Sequence, residues 1–177
     1  MTNTTTEIRI YVACLAAYNN AILHGWWIDA TQGVEHIQEQ VSAMLKASPE
    51  AGAEEWAIHD YEGFEGLRLS EWTGFAQVAE IAEFIQEHGE LGAEIAEYYC
   101  SDLKEAREAL EDRYCGKWDS LADYAEHLTE ESGQLESLPE NLAYYIDFEA
   151  MGRDMDMGGD VITFDAGGGA VHIFWSH

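Results

Sequence analysis

The residues with the most chemical potential are Glu80, Glu83, Glu87, Glu90, Glu94 and Glu97, which recur at steps of three and four. That spacing places side chains on one face of a helix. At a rise of ~1.5 Å per residue, neighbouring carboxylates stand about 4.5–6 Å apart along the axis. No Lys or Arg occurs between Arg68 and Lys104 to offset them. Like charges at helical spacing repel, so the row costs stability unless the charge has a use. The use that fits is to present fixed negative charge to a basic surface. Taken singly, any one pair of these acids is better read as a solvated helix face.

Two sharper chemistries fit less well. Asp154, Asp156, Gly159, Val161 and Asp165 fall on positions one, three, six, eight and twelve of an EF-hand calcium loop. However, position five is Gly158, the last ligand is Asp instead of Glu, and the downstream pattern is that of a strand. An acidic turn between a helix and a hairpin is the expectation there. Seven histidines and three cysteines make acid–base or nucleophile pairs available, yet none sits in a recognisable nucleophile turn or metal-ligand spacing. Cys14, Cys100 and Cys115 share no C-x-x-C spacing and are expected to be reduced packing residues, with no zinc, disulfide or other cofactor. His24 and His59 read as structural, and Trp26, Trp27, Trp56, Trp72, Trp118 and Trp175 as core or junction residues.

The glutamate row needs a helix with an apolar back, and Phe75, Val78, Ile81, Phe84, Ile85, Leu91 and Ile95 supply it at the same period. Upstream, IRIYVACLAAY and AILHGWWIDA read as strands, the second closing at Asp29. Thr31 is then the expected N-cap of a helix over 34–48, with Val34, Ile37, Val41, Met44 and Leu45 inward, ended by Pro49 and Gly52. A third strand follows through Trp56, Ile58 and Tyr61. From 74 to 117 the pattern is helical throughout, with a break at Gly89 or Gly92, a cap at Asp102 and a stop at Gly116. The next helix puts Leu121, Tyr124, Ala125 and Leu128 inside and Asp123, Glu126 and Glu130 outside. Pro139 opens a helix PENLAYYIDFEAMGRDM, and DVITFD and AVHIFW flank the glycines 167–169 as a hairpin. The fold class is α+β, in three segments: a small sheet with one helix (1–73), a central helical acidic segment (74–117) and a C-terminal α+β segment (118–177).

The charge is large and uneven. Against 8 Lys plus Arg stand 35 Asp plus Glu, a formal net charge of -27. Residues 47–103 hold 14 acids and one base, and 118–165 hold 13 acids and one base, while the first 46 residues hold four acids and two bases. Lys104, Arg107, Arg113 and Lys117 form the one dense basic set, and local ion pairs that hold the acidic helices in place are expected of it. Such a balance opposes binding to a nucleic-acid backbone and favours a basic partner. No apolar run is long enough to span a bilayer, and the start lacks the basic and apolar regions of a signal peptide, so the cytoplasm is the expected compartment.

Several long segments, in order, resemble one family: IYVACLAAYNNAILHGWWIDA, EEWAIHDYEGFEG, DLKEAREALEDRYCGKWDSLADYAEHLTEES, and LPENLAYYIDFEAMGRDM followed by VHIFW. These resemble ArdA antirestriction proteins, which are carried on mobile genetic elements. The resemblance implies a DNA mimic, not an enzyme: three small domains in an elongated curved rod, dimerised through the C-terminal one, with carboxylates imitating the phosphates of bent DNA. The implied partner is the methyltransferase core of type I restriction-modification enzymes, whose DNA-binding groove would be occupied so that restriction, and more weakly modification, is blocked. Trp26 and Trp27, the loop 47–52 and the turn 166–169 depart from the family pattern.

The candidate binding surface is therefore spread over the chain. It comprises Glu62, Glu65 and Glu71 ahead of the central row, and Glu80, Glu83, Glu87, Glu90, Glu94 and Glu97 within it. Beyond the neutral interval it resumes at Asp119, Asp123, Glu126, Glu130 and Glu131. With one charge per roughly 1.7 Å of duplex, 27 charges correspond to about 46 Å of DNA. An acidic adaptor or chaperone for another basic DNA-binding protein is the alternative, although such proteins usually carry their acid in a disordered tail and not on periodic helices.

Overall fold

A computed structural model describes residues 7–177. The Thr-rich start, with its bearing on a signal peptide, falls largely outside the described residues. By internal contacts the chain divides into two compact units, one ending at Ala106 and the other beginning at Arg107. Both are mixed helix and sheet, and the α+β class holds.

The first unit opens with strand β1 (Arg9–Cys14), a short helix α1 (Leu15–Asn19) and β2 (Gly25–Asp29). Helix α2 (Val34–Lys46), strand β3 (Trp56–Glu62) and helix α3 (Phe75–Tyr98) follow. β1 lies between its partners in the order β2-β1-β3, both pairings antiparallel. The β-branched and aromatic content of all three strands suits a pleated, packed surface. The β1–β3 register slips between Tyr11 and Val12, whose partners are Asp60 and Ile58. His59 is the extra residue, and this bulge explains why the inward pattern steps by three from Ile58 to Tyr61. Helix α2 packs on β1, β2 and α3 through Ile37, Val41 and Met44, all buried. α3 begins with Phe75 stacked on Trp56 at 4.0 Å and buries Val78, Ile81, Phe84 and Ile85. The apolar stripe read from the sequence is thus its packing face.

Thr31 does not cap α2. It sits in a 3-10 turn, Ala30–Gln32, where the Asp29 side chain accepts hydrogen bonds from its backbone N–H (2.9 Å) and its hydroxyl (2.7 Å). Gly33 at φ 88° then begins the helix without a side-chain cap. Asp29 is the better acceptor here because its carboxylate satisfies several donors of the turn at once.

Helix α4 (Leu103–Glu108) is capped as expected, with Asp102 Oδ1 accepting from the backbone N–H of Glu105. It widens into a π turn, Ala109–Arg113, which belongs to the second unit. The helical expectation to residue 117 ends here, because Tyr114–Trp118 is strand β4. Gly116 is no helix stop but lies at φ 103° where the β4–β6 register shifts. Helix α5 (Leu121–Glu131), a short helix α6 (Glu140–Ala143), α7 (Phe148–Gly158) and strands β5 (Val161–Asp165) and β6 (Val171–Trp175) complete the unit. The hairpin forms where the glycines predicted it, Val161 pairing with Trp175, and β4 joins on the far side of β6.

One long helix after Pro139 was the expectation, and two are present. Asp147 interrupts them by accepting from the Ala150 backbone N–H at 2.9 Å, which starts α7 afresh. α5 and α7 pack closely, for a Cβ on Gly152 would lie 3.1 Å from the Leu121 carbonyl. Beneath them Tyr124, Ala125, Met155, Val161 and Ile173 form the core. Among the described residues, no helix is long and apolar enough to cross a membrane.

Candidate functional site

Of the fourteen acids read as a binding surface, thirteen are exposed and one, Glu94, is half-buried. Glu62 ends β3, while Glu65 and Glu71 lie on the following loop, Glu65 at φ 48°. Glu80, Glu83 and Glu87 share the outer face of the first part of α3. Glu90 and Glu97 are exposed on its second part, beyond a kink at Gly89. In the second unit Asp119 precedes α5, and Glu126, Glu130 and Glu131 stand on its outer side.

Helix electrostatics argue that the acids near the C-terminal ends, Glu94, Glu97, Glu130 and Glu131, are not there for the helices. Carboxylates stabilise a helix near its N-terminus and destabilise it near its C-terminus. α3 has no acid in its first turn and no base in its last, yet Glu94 and Glu97 fall towards its C-terminal end. α5 also lacks a base in its last turn, where Glu130 and Glu131 sit. Asp123 is one exception, lying in the first turn of α5 beside the Ser120 hydroxyl, which also caps the helix, and Glu90, directly after the break at Gly89, is another.

Not every acid is equally available. Glu62 Oε2 accepts from Arg9 Nε at 2.8 Å and lies 2.7 Å from Arg9 Nη2, and the same guanidinium rests over the Trp27 ring. Its charge is already answered. Glu97 accepts from the Arg68 backbone N–H at 3.3 Å, Glu87 lies 3.5 Å from His88, and Glu131 lies 3.7 Å from His127. Glu80, Glu83, Glu90, Glu126 and Glu130 make no ion pair among the described residues.

Folding also adds an acid that sequence separation concealed. The 3-10 turn and first turn of α2 lie alongside α3, and together they form an open groove of about 420 Å³. Glu35, from α2, lines it with Glu80 and Glu83. No periodicity within one segment could have paired residues 35 and 80.

Arg107 and Arg113 are half-buried and neither is without a partner. Lys117 differs: its ammonium donates to the Ala166 carbonyl at 3.1 Å and so holds the hairpin turn instead of an acid. Cys14 is buried, but Cys100 is exposed at φ 52°, contrary to the expectation of a packing cysteine.

The calcium-loop alignment breaks up in space. Asp154 and Asp156 lie within α7, and Asp165 ends β5, where its Oδ1 accepts from the Gly167 backbone N–H at 2.9 Å. Among the described residues no group of three or more His, Cys, Asp or Glu is placed to hold a metal ion. The ionisable groups with displaced pKa values serve structure. Burial pushes the Tyr124 phenol up, aided by a hydrogen bond with Cys115. Burial, with the Lys117 charge, holds the His172 imidazole below its usual value, and its Nδ1 shares a 2.7 Å hydrogen bond with the Tyr114 hydroxyl. At Asp29 burial acts upward, but the bonds from Thr31 and Gln32 outweigh it and leave the carboxyl low.

A sequence model of the antirestriction protein family (ArdA) matches residues 10–168. No curated protein matches the chain.

Proposed function

From the premise that this chain belongs to the ArdA antirestriction family, we propose that it acts as a DNA mimic on the DNA-binding groove of type I restriction-modification enzymes. The observation that carries this reading is the set of exposed carboxylates on α3 and α5, of which Glu80, Glu83, Glu90, Glu126 and Glu130 make no ion pair among the described residues. The methyltransferase core of such an enzyme would offer Lys and Arg spaced for phosphates, and fixed carboxylates satisfy them without condensed counter-ions. Restriction is blocked because DNA is excluded, and modification is blocked more weakly. Binding presents backbone-like charge and no base edges, so it weakens with salt and is indifferent to the enzyme's target sequence.

Within this reading the segments 1–73, 74–117 and 118–177 act as three domains of an elongated rod in the cytoplasm, and the chain works as a homodimer through its C-terminal part. Leu138, Leu142, Tyr144 and Tyr145 in that part are exposed and offer apolar surface that an interface there would bury. Two linked acidic faces would engage one long groove with a gain in effective concentration.

Competition tests the reading. A labelled duplex bound to a purified type I methyltransferase core should be displaced stoichiometrically at low salt, and the inhibition should fade as salt rises. Failure to displace DNA at low salt, with capture of free basic proteins instead, would replace the mimic with an acidic adaptor or chaperone.

A further inference from the structure

The backbone of α3 is two helices joined at Gly89, whose φ of 63° and ψ of −145° lie outside any helical region. Positive φ with nearly extended ψ is accessible to glycine and costly for every residue with a Cβ. The limb before it carries exposed Glu80, Glu83 and Glu87, and the limb after it carries exposed Glu90 and Glu97.

The second limb is held tightly against the first. A Cβ on Gly92 would lie 2.7 Å from His88 Cβ and 3.3 Å from the Phe84 carbonyl oxygen. On the second limb Gly92, Ala93, Ile95 and Ala96 are all buried. An unbroken helix would string the five exposed acids along one straight axis. The kink instead gives Glu90 and Glu97 a direction of their own, fixed by close packing and not by chance flexibility.

We infer that Gly89 is a positioning residue for partner binding: the kink it permits sets where Glu90 and Glu97 stand relative to Glu80, Glu83 and Glu87, and the partner's cations match that bent set. This rests on the acidic-surface reading proposed above. Its signature is coupling. If Gly89 acts through Glu90 and Glu97, those two carboxylates matter only while the kink is present.

The test uses the full chain in the DNA-displacement assay, with Gly89→Ala, the pair Glu90→Gln and Glu97→Gln, and the combination. The pair weakens competition about 2- to 30-fold, the range for two exposed ion pairs. Gly89→Ala weakens it at least as much, and the combination is no worse than Gly89→Ala alone. Gly92→Ala leaves Gly89 free but crowds His88, so it reproduces the coupling by a second route if Gly89→Ala folds poorly by circular dichroism. Losses that multiply, or Gly89→Ala competing as well as the parent, overturn the inference alone. If the charge-to-amide changes at Glu80, Glu83, Glu87, Glu90 and Glu97 together leave competition intact, the acidic-surface reading falls and takes this inference with it.

Discussion

Replacing Glu80, Glu83 and Glu87 by Gln should weaken inhibition and strengthen the fold at the same time. The three acids lie at i, i+3 and i+7 on the outer face of α3, all exposed, and Glu87 lies 3.5 Å from His88. They form two repelling neighbour pairs, and each such pair destabilises a helix by about 0.2–0.5 kcal/mol. Removing all three charges should therefore raise the unfolding free energy by roughly 0.4–1 kcal/mol, since Gln and Glu have similar helix propensities. Each exposed ion pair made with a partner is worth about 0.2–1 kcal/mol, so a single change costs only ~1.4- to 5-fold in binding and the triple change about 3- to 150-fold. Urea unfolding followed by far-UV circular dichroism measures the first quantity, and DNA displacement at two salt concentrations measures the second. A single substitution that abolishes competition without unfolding the protein would refute a distributed surface. A triple variant that unfolds more easily than the parent would refute the repulsion argument.

Three further outcomes follow from particular contacts. Asp147→Ala removes the cap that restarts α7 and should cost about 1 kcal/mol in urea unfolding, with little effect on competition. His172 is held below its usual pKa chiefly by burial, so the unfolded chain takes up more protons than the folded one as pH falls below about 6.5. The stability it contributes is complete above that pH and is lost below it, and His172→Gln should flatten that part of the dependence in urea midpoints taken between pH 7.5 and 5. Cys100 should react rapidly with an aromatic disulfide reagent in the native protein, while Cys14 reacts only after denaturant is added.

The elements with long apolar periods were legible in the sequence. α2, α3 and α5 have enough turns for their stripes to repeat, and the hairpin of β5 and β6 is marked by three consecutive glycines. β4 was hidden because a strand of five residues has no period to show, and its partner lies far along the chain, Gly116 opposite Ile173. The break at Asp147 was hidden by a local competition, since a short polar side chain can start a helix as readily as sit beside one. The acidic character of the site was legible, but its membership was not. Glu62 is answered by Arg9 from another strand, Glu94 is half-buried, and Glu35 joins Glu80 and Glu83 only once α2 lies against α3. Each of those facts depends on a contact between distant residues.

The sheet order has a consequence for how copies of the chain treat one another. β2 and β3 bound one sheet, and β4 and β5 bound the other. End strands offer backbone groups to any further strand that approaches, which is the usual route to open-ended stacking. Here β3 carries Asp60 and Glu62, with Glu54 and Glu55 just before it, and β5 runs between Asp160 and Asp165. A second copy laid edge to edge would bring its own carboxylates to within about 5 Å of these. At the β3 and β5 margins the negative charge therefore opposes edge-to-edge pairing of two copies at neutral pH.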